Sequence, residues 1–215
     1  ILISGGDVIE TAMSDGMHPG HLYEMDLFME EQIFFACDSI KEMILKIKEN
    51  TSCPISVNMT QGNHDRMSLQ RTEDKNRTAG KIVSHILKRE LESQNIKFNI
   101  PSNNLIKIIS GNLCMFVQHG DTSLHKKRPT ELINLYGERG KYNVLLKGHW
   151  HQLKAEEGTN YLSIALPSVC STDAFVMEEL GNNALPGFII GHDSSSGIGF
   201  DYKQITLYIT NNIFL

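Results

Sequence analysis

The stretch that decides the fold is Pro54–Asp65, PISVNMTQGNHD, in which a short β-type run ends in a polar loop that contains glycine. The same order occurs three more times along the chain. An apolar run leads into a polar loop at Ile1–Asp7 (ILISGGD), Leu113–Asp121 (LCMFVQHGD) and Val144–His151 (VLLKGHWH). Because open α/β sheets bind their ligands at the carboxyl ends of the strands, we expect these four polar loops to converge.

Segments with helical spacing lie between these strands. The spacing of apolar residues predicts one long amphipathic helix, or two in series, over Tyr23–Lys48. It predicts one helix each over Thr78–Leu91 and Thr130–Tyr136. Leu105–Ile109 and Leu113–Val117 form a predicted hairpin. The further predicted strands are Tyr161–Leu166, Gly187–Gly191 and Phe200–Ile209. Alternation of strands and helices predicts an α/β architecture.

Length and composition set the limits of the interpretation. With 215 residues, 40% hydrophobic and 21% charged, the chain is expected to form a single domain over residues 1–215, with a helical insert over about 17–50 and C-terminal strands over about 187–210. No apolar run approaches the ~18 residues that a bilayer span requires. Four scattered cysteines without a C-x-x-C pair favour a reducing compartment, so we expect a cytoplasmic protein without a membrane partner. A net charge of −5 argues against binding nucleic acid through a global positive field.

The polar residues at the strand ends mix carboxylate, amide and imidazole groups, without any thiolate. Such donors suit hard or borderline divalent ions such as Mn, Fe or Zn. Two ions about 3.5–4 Å apart can orient a phosphate and activate water for in-line attack. The set is Asp7, Asn63, His64, Asp65, His119, Asp121, His149 and His151.

The ordered series Gly6-Asp7, Gly62–Asp65, His119 and Gly148–His151 resembles the calcineurin-like metallophosphoesterases, whose motifs include G-D, G-N-H-D/E, a lone His and G-H-x-H. The resemblance implies the family's four-layer α/β/β/α sandwich of two mixed sheets flanked by helices. Family members begin with a D-x-H motif, which this chain does not contain. We therefore expect the first strand to be missing; the alternative is a natural loss of one metal.

The resemblance also implies the metal ligands. Asp7 would bridge two divalent ions, Mn first and Fe or Zn as alternatives. Asn63, His119 and His149 would complete one site, and His151 would serve the other. Because D-x-H supplies two ligands to the His151 site in the family, that ion is expected to be absent or weakly bound here.

Three residues have implied catalytic roles. His64 would contact the scissile phosphate and protonate the departing oxygen, a role that suits a group titrating near neutrality. Asp65 would help to shape the loop. Glu10, three residues after the bridging carboxylate, would orient His64.

Substrate-binding candidates border these motifs. Lys126, Lys127 and Arg128 follow His119 by a few positions, and Arg66 follows the G-N-H-D loop. If they edge the cleft, they favour a polyanionic substrate; the alternative is ordinary solvated loops. Trp150 would wall the cleft or buttress the loop.

The function expected from this resemblance is metal-dependent hydrolysis of phosphoesters, with phosphodiester, nuclease-like substrates such as DNA or nucleotides preferred. Pro167–Asp173 followed by Pro186–Phe188 looks like the nuclease-related and phage-type branches, and the serine/threonine phosphatase signature G-D-x-x-D-R-G is absent. The alternatives are a phosphomonoesterase or cyclic-nucleotide phosphodiesterase on the same site, and a non-catalytic binding module with the same fold. A homo-oligomer through the Met- and Phe-rich helical insert is also left open.

Overall fold

The computed structural model describes residues 1–12, 25–67, 78–121, 127–170, 185–193 and 199–207. The chain divides into two compact units, Ile1–Ile106 and Lys107–Leu215. The prediction of a single domain over the whole chain stays a prediction.

The first unit contains a three-stranded sheet in the order β1-β2-β3, formed by Leu2–Ser4, Ser56–Met59 and Lys97–Asn99. Both pairs are parallel, with Leu2 opposite Val57 and Val57 opposite Phe98. Parallel neighbours need a crossover connection, and helices lie between these strands in the sequence. The carboxyl ends of β1 and β2, which lead into the Gly6-Asp7 and Gly62–Asp65 motifs, therefore lie at one edge.

Two helices accompany this sheet, α1 (Met29–Glu49) and α2 (Ala79–Leu91), the second followed by a 3₁₀ turn over Glu92–Gln94. Thr78 caps α2 by accepting a hydrogen bond from the Lys81 N–H at 3.2 Å. The helix predicted from Tyr23 starts at Met29 within the described residues; residues 13–24 lie outside them. The core includes Ile44, Val57, Met59, Val83 and Leu87.

The second unit is built on a five-stranded sheet in the order β4-β5-β6-β8-β7. Its strands are β4 (Leu105–Ser110, which starts at the boundary of the units), β5 (Leu113–Gln118), β6 (Tyr142–Lys147), β7 (Lys154–Gly158) and β8 (Tyr161–Ala165). β5, β6 and β8 are mutually parallel, and β7 is antiparallel to β8. This sheet is therefore mixed, as predicted, whereas the described pairs of the first sheet are all parallel.

Helix α3 (Pro129–Tyr136) lies against the larger sheet, with the Tyr136 ring 6.2 Å from that of Phe116. A separate antiparallel hairpin pairs β9 (Gly187–Asp193) with β10 (Phe200–Thr206). Residues 208–215, the end of the predicted last strand and beyond, lie outside the described part of the chain.

The predicted α/β class, with sheets and flanking helices, is confirmed. The described helices include none that is both long and apolar enough to cross a bilayer. All four cysteines are free; Cys37 and Cys114 are buried, and Cys53 and Cys170 are exposed.

Candidate functional site

The two motif loops of the first unit are joined by one buried carboxylate. Asp65 is fully buried, and its oxygens accept hydrogen bonds from four main-chain N–H groups. Oδ1 accepts from Val8 at 2.9 Å and Ile9 at 3.2 Å. Oδ2 accepts from Asp7 at 3.1 Å and Gly62 at 2.8 Å. Asp65, predicted to shape its own loop, thus also fixes the loop that follows β1.

Asp7 lies where these loops approach most closely. Its backbone is left-handed, with φ of 53°, and its Oδ1 accepts a hydrogen bond from the His64 N–H at 2.8 Å. A Cβ at Gly62 would lie 1.8 Å from Asp7 Oδ1 and 2.4 Å from Asp7 N. Because no L-residue with a side chain fits such a gap, the glycine of the G-N-H-D motif is a steric requirement of the carboxylate beside it.

His64 is held by a side-chain partner, Glu10. Its Nδ1 lies 2.5 Å from Oε2 of Glu10, and the two side chains are 24% and 22% exposed. An ionised carboxylate only accepts hydrogen bonds, so the proton of this contact is assigned to Nδ1. The His64 carbonyl accepts from Thr11 N at 3.0 Å and Thr11 Oγ1 at 2.7 Å.

Asn63 and Arg66 complete this loop. The Arg66 Nε donates to the Asn63 carbonyl at 2.9 Å, and both residues are partly buried. The predicted substrate-binding arginine therefore also holds the main chain of a predicted metal ligand. The role of Thr11 was not predicted, because a threonine after a G-D motif carries no signal of a tertiary hydrogen bond.

In the second unit, two predicted ligands follow neighbouring parallel strands. His119 comes directly after β5, and His149 comes two residues after β6, with Gln118 opposite Lys147 in the register. The Gly148 N–H donates to the Gln118 carbonyl at 3.2 Å and extends this pairing. The imidazole centroids are 5.1 Å apart, and a ring nitrogen of one lies within 4.8 Å of a ring nitrogen of the other. This spacing fits two imidazoles on one ion, because each metal–nitrogen bond is about 2.0–2.1 Å.

The G-H-W-H loop has a strained backbone. The Trp150 N–H donates to the Gly148 carbonyl at 2.8 Å, which closes a γ-turn around His149, whose φ is 70°. Positive-φ γ-turns are rare and strained. His151 also has a positive φ, 54°. Within this unit, the two histidines of the motif are thus both held in a conformation that side chains rarely adopt.

The substrate candidates of the second unit differ in their surroundings. Trp150 is 49% exposed, and its ring stands edge-on to His149 at 5.8 Å. Lys127 and Arg128 are exposed and lie 3.5 and 3.8 Å from carboxylate oxygens of Glu131. Their charges are therefore partly neutralised by α3. Lys126 lies outside the described residues.

Each unit carries donor groups that divalent metals accept. The first unit offers the Asp7 carboxylate and the Asn63 amide, and the second offers His119, His149 and His151. Carboxylate, amide and imidazole donors are those that Mn, Fe and Zn accept. Each donor lies in a loop that follows a strand predicted from the sequence.

Comparison with known proteins found no matching family model and no matching curated protein. Among solved structures, the chain is similar to wild-type Vps29 complexed with zinc from Entamoeba histolytica, at 14% identity and a TM-score of 0.40, over 76% of this chain and 88% of that one. It is also similar to an archaeal phosphodiesterase, at 15% identity and a TM-score of 0.40, over 80% of this chain and 91% of that one. A third similar structure is Yfce, a phosphoesterase from E. coli, at 14% identity and a TM-score of 0.36, over 78% of this chain and 92% of that one.

Proposed function

We propose that this protein is a metal-dependent hydrolase of phosphoesters, with phosphodiesters as its preferred substrates. One observation carries the proposal. Among the described residues, the non-glycine residues with positive φ are Asp7, Asn95, His149 and His151, and three of these four are predicted metal ligands. Each such residue costs of order 1–3 kcal/mol, and strain of this kind clusters at functional sites. The fourth, Asn95, follows the 3₁₀ turn, an ordinary place for a left-handed residue.

The proposed ligand assignment follows the motif resemblance. Asp7, Asn63, His119 and His149 would hold one ion, and His151 would contribute with Asp7 to a second. Mn²⁺ is the first candidate, with Fe or Zn as alternatives. When bound, such ions supply charge neutralisation of the phosphate and a water activated at neutral pH.

His64 has the proposed role of general acid. Glu10 holds its Nδ1, and this orients Nε2 for the oxygen of the departing group. A positioned general acid contributes typically about 10²–10⁴-fold to the rate. Arg66 and Trp150 are proposed to contact the substrate beside this centre.

The test combines metal binding with turnover. Mn²⁺ binding is measured by calorimetry, and hydrolysis of bis-p-nitrophenyl phosphate, p-nitrophenyl phosphate and a linear oligonucleotide is compared side by side. We expect Mn²⁺-dependent hydrolysis that is fastest on the diester. His119→Ala and His149→Ala should abolish both binding and turnover, whereas His85→Ala, an exposed histidine on α2, should change neither.

The other outcomes have definite meanings. Faster turnover of the monoester would replace the diesterase proposal with a phosphomonoesterase. Tight Mn²⁺ binding without turnover of any substrate would favour a non-catalytic binding module. If the wild-type protein binds no divalent ion, the proposal is wrong.

A further inference from the structure

Gln32, in the first turn of α1, makes three hydrogen bonds with its side-chain amide, of which one joins Nε2 to Met25 Sδ at 3.5 Å. Its Oε1 accepts from the Glu10 N–H at 2.8 Å, and its Nε2 donates to the Leu27 carbonyl at 2.8 Å. Its own N–H donates to the Phe28 carbonyl at 2.8 Å, which fixes its main chain at the start of the helix. The amide therefore connects a rigid helix terminus to the residue whose carboxylate holds His64.

The main-chain N–H groups on either side of Glu10 donate to other acceptors. The N–H groups of Asp7, Val8 and Ile9 all donate to the carboxylate of Asp65. The Thr11 N–H donates to the carbonyl of His64. Among five consecutive residues, Glu10 is thus the one whose N–H is bound by the helix.

The geometry points to Gln32 as a positioning residue that sets the Glu10 carboxylate and, through it, the His64 imidazole. This inference rests on the proposed function, because the value of an oriented His64 is its role as general acid. The position requires a neutral amide, since the side chain must accept on one side and donate on the other. Glutamate retains the acceptor but faces the Leu27 carbonyl with a second acceptor. Methionine, of similar length, offers neither group.

The first test compares leaving groups. Gln32→Met and Gln32→Glu are measured with Mn²⁺ on phosphodiesters that carry a p-nitrophenyl or an alkyl leaving group. General-acid catalysis matters most when the departing oxygen is basic, so Gln32→Met should lower kcat by about 10-fold on the alkyl ester and by about 3-fold or less on the p-nitrophenyl ester. Gln32→Glu should fall between Gln32→Met and the wild type. KM and Mn²⁺ affinity should not change.

The matched control is Gln94→Met, an exposed glutamine in the 3₁₀ turn, for which no kinetic change is expected. Equal losses of kcat on both leaving groups would contradict a positioning role. A loss of Mn²⁺ affinity as the main effect would also contradict it, because the residue would then act on the metal loop as a whole.

The second test does not depend on turnover. The Nδ1 proton of His64, hydrogen-bonded to Glu10, should give a downfield proton resonance in NMR spectra of the wild type and of Gln94→Met. Gln32→Met should broaden or shift this resonance. If the resonance is the same in all three proteins, the inference is wrong even when the enzyme is active. If the wild type hydrolyses no phosphoester but Gln32→Met changes the resonance, the proposed function fails and the positioning contact stands.

Discussion

The motif loops of the first unit and those of the second unit, called the first and second halves below, are held in different ways. In the first unit, Asp7 and His64 lie on loops that a single buried carboxylate, Asp65, connects through four hydrogen bonds. In the second unit, His119 and His149 follow two parallel strands whose register extends past the strand ends. One half depends on one side chain, and the other depends on a ladder of main-chain hydrogen bonds.

This difference predicts different sensitivity to mutation. Removing one group from a fully buried hydrogen-bond network leaves its donors without acceptors. The folded state is then destabilised by the free energy that was needed to desolvate those donors. A strand register is shared among many residues, so no single side chain at the ends of β5 and β6 carries it. Single substitutions should therefore disrupt the loops of the first half, whereas substitutions in the second half should remove ligands without unfolding the sheet.

The largest effect is expected for Asp65→Asn. In either orientation of the amide, its NH₂ group faces two main-chain donors, those of Val8 and Ile9 or those of Asp7 and Gly62. We expect a loss of about 4 kcal/mol in the free energy of unfolding, measured by urea titration. Asp38→Asn, at a carboxylate whose side chain is 80% exposed, should change it by less than about 0.5 kcal/mol. Similar losses of unfolding free energy in the two variants would contradict the role of Asp65 in connecting the loops.

Gly62→Ala separates steric exclusion from backbone strain. Its Cβ would overlap Asp7, including the main-chain nitrogen, so the loops must move apart, at a cost of about 3 kcal/mol and with loss of Mn²⁺ binding. Gly140→Ala is the control, because Gly140 has φ of 78° but no atom of the described residues within 4 Å of the position that its Cβ would take. That variant should lose about 1–2 kcal/mol and keep full metal affinity. Retained Mn²⁺ affinity in Gly62→Ala would show that the close approach is not required.

Substitution of His149 tests the strain of the second half directly. His149→Gly and His149→Ala both remove the imidazole, but only glycine relieves the positive φ. The glycine variant should therefore be more stable than the alanine variant by about 1 kcal/mol in thermal or urea unfolding, with Mn²⁺ binding lost in both. Asn95→Gly and Asn95→Ala should show the same stability difference with metal binding intact. Equal stability of the two His149 variants would mean that the loop stores no strain.

The smallest effect concerns Lys147, at the end of β6. Burial lowers the pKa of this lysine from its ordinary 10.5, with Lys154 adding to the decrease and Glu156 opposing it. Below the folded-state pKa both states are protonated, and the cost of the buried charge is fully present. Between that pKa and 10.5 the unfolded state binds more protons, so stability should rise with pH.

Lys147→Met should remove this rise and stabilise the protein by about 0.5 kcal/mol at pH 7, measured by urea unfolding from pH 7 to 10. Lys107, in the same unit, has a pKa shift of the opposite direction, because its hydrogen bond to Glu138 raises the pKa. If the alkaline rise persists in Lys147→Met, another group causes it.

The sequence was sufficient to predict the strand ends and the loops that follow them. Alternation of apolar and polar segments located β1, β2, β5 and β6, because buried parallel strands read as continuous apolar runs. The edge strand β7 was missed, since Lys154, Glu156 and Glu157 give it the composition of a loop, although charged residues are common on edges. Strand β3, of three residues, was also missed.

The contacts that hold the site were less predictable. The Glu10–His64 pair could be anticipated because it accompanies a motif. The three donors to Asp65 from the loop after β1 and the bond from Glu10 to the Gln32 amide could not, because they join residues 22 to 58 positions apart whose types are common in loops and helices. The left-handed backbones of His149 and His151 could not be predicted either, since histidine carries no sequence signal for positive φ.

The most direct test of the central proposal is a crystal structure of the protein soaked in Mn²⁺, with anomalous diffraction collected at the manganese edge. We predict an anomalous peak about 2.0–2.2 Å from a carboxylate oxygen of Asp7 and from imidazole nitrogens of His119 and His149. A peak away from these side chains, or no peak in crystals that diffract well, would contradict the proposed metal centre.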